Sequence, residues 1–153
     1  MKQAGRARGA EGVLLLHAWW GLTDDVSAYA ERLAGEGFAV RAPDLFDGRT
    51  AATPEEAEAL VSAIDPAASG AAALAGAERL ATLVPGGPLA AIGFSYGAPW
   101  ALGMPERNPR FRGSVLYYGT GWDEGIAAGR TPVLGHFAPG DPYEPDAVSY
   151  THL

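Results

Sequence analysis

Short runs of wholly apolar residues, each of strand length, recur along this chain with helix-length amphipathic stretches between them. Residues 13–17 read Val-Leu-Leu-Leu-His and residues 89–94 read Leu-Ala-Ala-Ile-Gly-Phe, with further runs at 38–40, 114–118 and 132–138. A strand that is apolar on both faces has to be covered on both, and the intervening helices supply that cover. Because crossovers between parallel strands are almost always right-handed, the expected architecture is a doubly wound, mostly parallel α/β sheet. Ligands in such sheets sit outside the carboxyl ends of the strands. The loops after His17, Val40, Phe94, Tyr118 and Ala138 are therefore where chemistry is expected.

The helices carry their own signals. Asp24 can cap a helix reaching about Glu36, with Val26, Tyr29, Ala30 and Leu33 on one face and Gly35 and Gly37 at its end. Thr53-Pro54-Glu55-Glu56 combines a capping threonine, a proline at the first helical position and the glutamate of a capping box. An alanine-rich helix is expected over 69–83, one helix over 96–107 and a short one over 123–128.

Composition narrows the function. A chain of 153 residues with 48% hydrophobic and 19% charged side chains reads as one folded domain. Its net charge is −7 and Lys2 is its only lysine, so the basic footprint of a nucleic-acid partner is missing. With no cysteine there is no disulfide framework, thiolate zinc site or cysteine nucleophile. The apolar run from Val13 falls far short of the ~20 residues that span a bilayer, and neither a membrane partner nor a signal peptide is expected. The expected location is the cytoplasm. A dinucleotide fingerprint fails, because Gly119-Thr120-Gly121-Trp122-Asp123-Glu124 ends in glutamate where a glycine should pack the helix. No Gly-Lys pair supports a phosphate loop, and no His-Glu-x-x-His supports a metallohydrolase.

Gly93-Phe94-Ser95-Tyr96-Gly97 is G-x-S-x-G between a predicted strand and a predicted helix, the context of a nucleophile elbow. Glycines flank the serine because any Cβ there would strike neighbouring strands. The Ser95 hydroxyl projects from the sheet edge, and the Tyr96 amide opens the next helix, where an oxyanion is favoured. The plainer alternative is a serine capping an ordinary helix. A serine nucleophile needs a histidine base oriented by a carboxylate, in the chain order Ser, Asp or Glu, His. Asp141, in Gly140-Asp141-Pro142-Tyr143 after the last strand, is the expected acid. Its alternative is a turn residue beside prolines, and Asp123 and Asp146 are rivals.

Four segments together resemble the dienelactone hydrolase family of α/β-hydrolases: His17-Ala18-Trp19-Trp20-Gly21-Leu22, Ala42-Pro43-Asp44-Leu45-Phe46, the elbow, and Gly140-Asp141-Pro142-Tyr143-Glu144-Pro145. The likeness runs from about residue 12 to about residue 146. The elbow is common to all α/β-hydrolases, whereas the tryptophan-rich and Pro-Asp-Leu-Phe segments are more specific. The resemblance implies a hydrolase of small-molecule esters or lactones, working through an acyl-enzyme on Ser95. It also implies Asp141 orienting the histidine, the backbone N–H groups of Trp19 and Tyr96 holding the oxyanion, and no metal or organic cofactor.

The chain departs from that family in three respects. The best-known members carry a cysteine nucleophile where this chain has Ser95, and an acidic residue where it has Ala18. The two changes agree, since the acid controls a thiol's ionisation and a serine relies on histidine instead. They point to general short-chain esters rather than dienelactone itself. The third departure is the base. In the family it follows a further strand, but only twelve residues remain after Asp141, among them His152. The chain is therefore expected to be an α/β-hydrolase domain, 1–153, incomplete at its C-terminus, with the base beyond residue 153.

His17 is expected to shape the floor of the site through a hydrogen bond, and His136 to be a core residue. Trp19, Trp20, Tyr96, Phe46, Trp122 and Tyr143 are the aromatic pocket candidates, Trp100 is expected in the core, and Arg49 in solvent, its alternative being to receive a substrate carboxylate. The run at 132–138 would form an unpaired edge, apolar on both faces, through which copies could self-associate. A non-catalytic binding domain that keeps the pocket and lacks the base is the alternative function.

Overall fold

The computed structural model describes residues 11–120 and 131–141. Among them five strands, β1 (Gly12–Leu16), β2 (Ala39–Arg41), β3 (Leu89–Phe94), β4 (Phe111–Tyr117) and β5 (Val133–His136), form one sheet in the order β2-β1-β3-β4-β5. Every pairing is parallel, as the apolar runs predict. Strand β1 lies between β2 and β3, and all five of its residues are buried.

Side chains alternate across that strand. Leu14 and Leu16 join the core beneath α3 (Pro66–Leu83), α4 (Ala98–Leu102) and α5 (Met104–Arg107), against Leu80, Ala98 and Met104. Val13 and Leu15 pack on the other face against Val26, Tyr29, Ala30 and Leu33 of α1 (Asp24–Gly35). Those are the four residues that the helical periodicity selects. No single described helix is long and apolar enough to cross a membrane.

Helix starts follow cap chemistry, with three differences from expectation. Thr23, not Asp24, is the N-cap of α1, and Asp24 and Asp25 occupy its first turn, where the helix dipole favours negative charge. In α2 (Pro54–Ala63) the Glu56 amide donates to Thr53 Oγ1 at 3.2 Å, while Glu56 Oε2 accepts from the Ala52 amide, one residue earlier than a standard capping box. Helix α3 begins at Pro66 rather than at residue 69, because Asp65 caps the Ala67 amide at 2.9 Å with proline at the first position. That leaves Ser69 free to turn inward, where it is fully buried.

The expected helix over 96–107 is broken. A 3-10 turn, Ser95–Gly97, precedes α4, and Gly103 separates α4 from α5. Pro105 has no amide to offer the Ala101 carbonyl, and that carbonyl instead accepts the Ser114 hydroxyl of β4 at 2.9 Å. Strand β4 starts at Phe111, three residues before the expected start. Its entry is fixed by Arg110, whose guanidinium donates to the carbonyls of Ala81, Val84 and Gly87, capping the end of α3. Arg110→Met keeps much of the stem and loses these charge-assisted bonds, so urea denaturation is expected to show a loss of about 2–3 kcal/mol. A change under about 0.5 kcal/mol would mean that water replaces the guanidinium freely.

Strand β5 spans fewer residues than the run at 132–138 and lies at an edge of the described sheet, with Leu134 57% exposed. His136 is exposed rather than in the core. It stacks on Tyr117 with ring centroids 4.6 Å apart, which the apolar sequence around it does not reveal. The expected helix over 123–128 falls outside the described residues.

Candidate active site

Three loops meet at the carboxyl ends of β1, β3 and β4. After β3 the chain turns sharply at Ser95, whose φ is +44°. A residue with a Cβ rarely adopts that conformation, and holding it there costs on the order of 1–3 kcal/mol. The surroundings enforce the turn. A Cβ on Gly93 would come within 2.6 Å of the Gly97 carbonyl oxygen and 2.7 Å of Ala98 Cα. One on Gly97 would come within 2.4 Å of the Leu16 carbonyl oxygen and 2.8 Å of that of His17. Both outer glycines of G-x-S-x-G are therefore sterically required, as the sequence pattern predicts. Gly119, after β4, was not singled out by that pattern, yet a Cβ there would lie 2.7 Å from the Ser95 carbonyl oxygen. Only the non-local approach of β4 to the elbow reveals its role.

The same close approach sets the Ser95–Gly97 turn against the end of β1, from which the chain runs directly into Ala18 and Trp19. A turn closes there, the Gly21 amide donating to the Ala18 carbonyl at 3.1 Å, and Trp19 and Trp20 meet edge to face at 5.4 Å. Ser95, Tyr96 and Trp19 thus belong to loops at the ends of neighbouring strands. Asp141 follows β5, two strands away from β3 in the sheet order. Its amide donates to the Ala138 carbonyl at 3.4 Å. Trp122, Asp123, Tyr143, Asp146 and His152 lie outside the described residues.

His17 forms the floor. It is fully buried, and its Nδ1 donates to the Ala18 carbonyl at 2.8 Å while Nε2 accepts from the Leu45 amide at 2.9 Å. A carbonyl can only accept and an amide can only donate, so these partners fix the neutral tautomer. Burial lowers the His17 pKa below its usual 6.5, only partly opposed by the Ala18 hydrogen bond and by Asp44, whose carboxylate lies 3.7 Å from Nε2. Asp44 itself binds the Phe46 and Gly48 amides at 2.9 and 2.6 Å and so shapes the loop after β2. A second chain of bonds joins this loop to the elbow. The Tyr96 hydroxyl donates to Ser69 Oγ, and Ser69 donates to the Leu45 carbonyl, both at 3.0 Å.

These bonds revise the expected pocket. Phe46 is fully buried, packed edge to face on His17 and Tyr96, and the Tyr96 side chain leans into the core. Trp100 packs against the core as expected, and Arg49 is exposed with its Nε donating to the Phe46 carbonyl. A cleft beside the elbow, about 640 Å³, is instead lined by Ala18, Trp20, Thr23, Asp25, Tyr29, Phe94, Tyr117 and Tyr118 among others. Among the described residues, Trp20 is the only one of the expected aromatics to line it, and Ser95 itself is not among the lining residues.

A parallel sheet crowned by a strained serine turn after a central strand is the α/β-hydrolase arrangement. Residues 3–150 match the profile of the dienelactone hydrolase family, and the chain belongs to that family. A solved structure described as m3DLH has 29% identity and a TM-score of 0.69, over 88% of this chain and 60% of its own. The dienelactone hydrolase-like promiscuous phosphotriesterase from metagenomic libraries, at 22% identity and a TM-score of 0.71, shares the fold over 99% of this chain and 64% of its own. "Protein usf" of Aquifex pyrophilus is 40% identical over 57 residues, 35% of this chain and 25% of that protein. The "Putative carboxymethylenebutenolidase" of Aquifex aeolicus is 42% identical over 53 residues, 33% of this chain and 23% of that protein. The chain thus spans less than two thirds of the length of each of these relatives.

Proposed function

We propose that this chain is a serine-type hydrolase of small carboxylic esters or lactones. The observation that carries the reading is the left-handed backbone of Ser95 between two glycines that cannot bear a Cβ. Such strain persists only where the surroundings enforce it, and it concentrates at active sites. Membership of a hydrolase family supports the same reaction class.

In this mechanism Ser95 Oγ attacks the ester carbonyl carbon and gives its proton to a histidine. The carbonyl oxygen becomes an oxyanion held by the Tyr96 and Trp19 amides. Collapse expels the leaving alcohol, which takes the proton from the histidine, and water then releases the acid from the acyl-enzyme by the same steps. Asp141 orients the base. His17 is excluded from that role, because both ring nitrogens are engaged in a fully buried setting. The base is a histidine C-terminal to Asp141, either His152 or one in a longer natural chain.

The test is a fluorophosphonate probe, which reports an activated serine rather than an exposed one. Mass spectrometry is expected to find the adduct on Ser95, and Ser95→Ala is expected to abolish it. The experiment is run on the 153-residue chain and on any longer natural reading frame that contains it. A folded protein left unlabelled in both forms would overturn the enzyme reading in favour of a binding domain. Self-association through the β5 edge belongs to the same proposal. Gel filtration is expected to give a species larger than a monomer, and a sharp monomeric peak would remove that part.

A further inference from the structure

The cleft beside the elbow has a chemical character that neither the nucleophile nor the oxyanion donors demand. Trp20 comes to it from the loop after β1, Tyr29 from α1, Phe94 from the end of β3, and Tyr117 and Tyr118 from the end of β4. Phe94 and Tyr117 stack in parallel at 4.8 Å, Tyr29 meets Phe94 edge-on at 5.8 Å, and Tyr118 remains 45% exposed. The walls are therefore ring surface that a ligand can reach. Burial and the neighbouring Tyr117 raise the hydroxyl pKa values of Tyr29 and Tyr118, which keeps both rings neutral.

Among the described residues that line this cleft charge has one sign, and Arg32, whose charge partly offsets the rise at Tyr29, is exposed outside that lining. Asp25 lines the cleft, Asp24 and Glu56 line the groove that adjoins it, and no lysine or arginine is among the described residues lining either. A ligand carboxylate entering here would be partly desolvated, face Asp25 and meet no cation among the described lining residues. An ammonium group would meet the negative faces of the rings and a carboxylate at the rim.

We propose that this cleft is a binding site for an organic cation carried on an aromatic group, and that it discriminates against the same ring carrying a carboxylate. The proposal rests on the serine-hydrolase reading for making the bound group part of a substrate. It rests on the cleft alone for the charge preference.

Three ligands that share a phenyl ring test it: benzyltrimethylammonium, benzyl alcohol and benzoate, titrated against the chain by tryptophan fluorescence and ligand-observed NMR. The ammonium is expected to bind tightest and benzoate weakest, with about tenfold or more between them. Asp25→Asn, an exposed position, is expected to narrow the gap between ammonium and alcohol about threefold while leaving the alcohol unchanged. Tyr118→Ala is expected to weaken the ammonium most, and thermal melts check that both variants remain folded. Benzoate binding as tightly as the ammonium would overturn the proposal. So would affinities that ignore both variants, or no binding by any of the three. Ser95→Ala is expected to bind the series unchanged, so a failed nucleophile assignment and a failed charge preference give separate results.

Discussion

Gly97→Ala is expected to leave little folded protein. The added Cβ would lie 2.4 Å from the carbonyl oxygen and 2.7 Å from the carbonyl carbon of Leu16, and 2.8 Å from the His17 carbonyl oxygen. Overpacking a core usually costs about 1–3 kcal/mol, because neighbouring side chains change rotamer to make room. Here the obstacle is backbone at the end of β1, which is paired with β3 at Gly93 and has no rotamer to change. The cost is therefore expected to exceed about 4 kcal/mol, set against a typical domain stability of about 5–15 kcal/mol. Gly35→Ala makes the same chemical change at the end of α1, where nothing lies within 4 Å of the new Cβ. It is expected to stabilise by up to about 1 kcal/mol. Urea melts of the two variants should move in opposite directions. A Gly97→Ala melt within about 1 kcal/mol of the parent would mean that the elbow does not rest on β1 as described.

The contrast between those two glycines also marks where sequence reading reaches its limit. Both are single letters in a glycine-rich chain, and only the string around Gly97 distinguishes it. The string sufficed for the elbow because its constraint is local: strand, serine and helix follow one another. Gly119 carries a comparable constraint with no such string, since its obstacle is Ser95, brought close by the pairing of β4 with β3. His17 was legible as a floor residue because it follows a buried strand directly. The run that holds His136 is expected at an edge, yet its apolar letters suggest cover on both faces, and they do not show that Leu134 and His136 of β5 are left exposed. Their places in the right loops make Phe46 and Tyr96 pocket candidates. Whether an aromatic in a loop points outward or inward depends on bonds such as Asp44 to Phe46 and Tyr96 to Ser69. Helical periodicity puts Tyr29 toward the sheet, as the structure has it, and its second role as a cleft wall emerges only where α1 passes the ends of β3 and β4.

His17→Phe is expected to lower stability by about 2–4 kcal/mol at pH 8 and to flatten its dependence on pH below about 6.5. Phenylalanine keeps a ring in the same fully buried place, packed edge-on to Phe46 at 4.8 Å, so little volume is lost. What disappears is the acceptor for the Leu45 amide and the donor to the Ala18 carbonyl. A buried amide without a partner costs about 1–3 kcal/mol, and the orphaned carbonyl adds to it. The pH effect has a definite sign. Burial lowers the His17 pKa in the folded state, while the unfolded chain titrates near 6.5. Above that value both states are neutral and His17 contributes its full stabilisation. As the pH falls below it, the unfolded chain takes up a proton that the folded protein refuses, and stability declines until the lowered folded value is reached. The variant has no such group and loses that slope. Melts at pH 8, 6.5 and 5.5 separate the two contributions: the offset at pH 8 measures the hydrogen bonds, and the difference in slope measures the titration. A variant that matches the parent at pH 8 would show that the Leu45 amide finds another acceptor. One that keeps the parent's slope would assign the pH dependence to carboxylates elsewhere. Because Leu45 also receives the bond from Ser69, and Ser69 that from Tyr96, the loosening should travel to the residue after the nucleophile. In the proposed enzyme, His17→Phe is accordingly expected to slow fluorophosphonate labelling of Ser95 even under conditions where the protein remains folded.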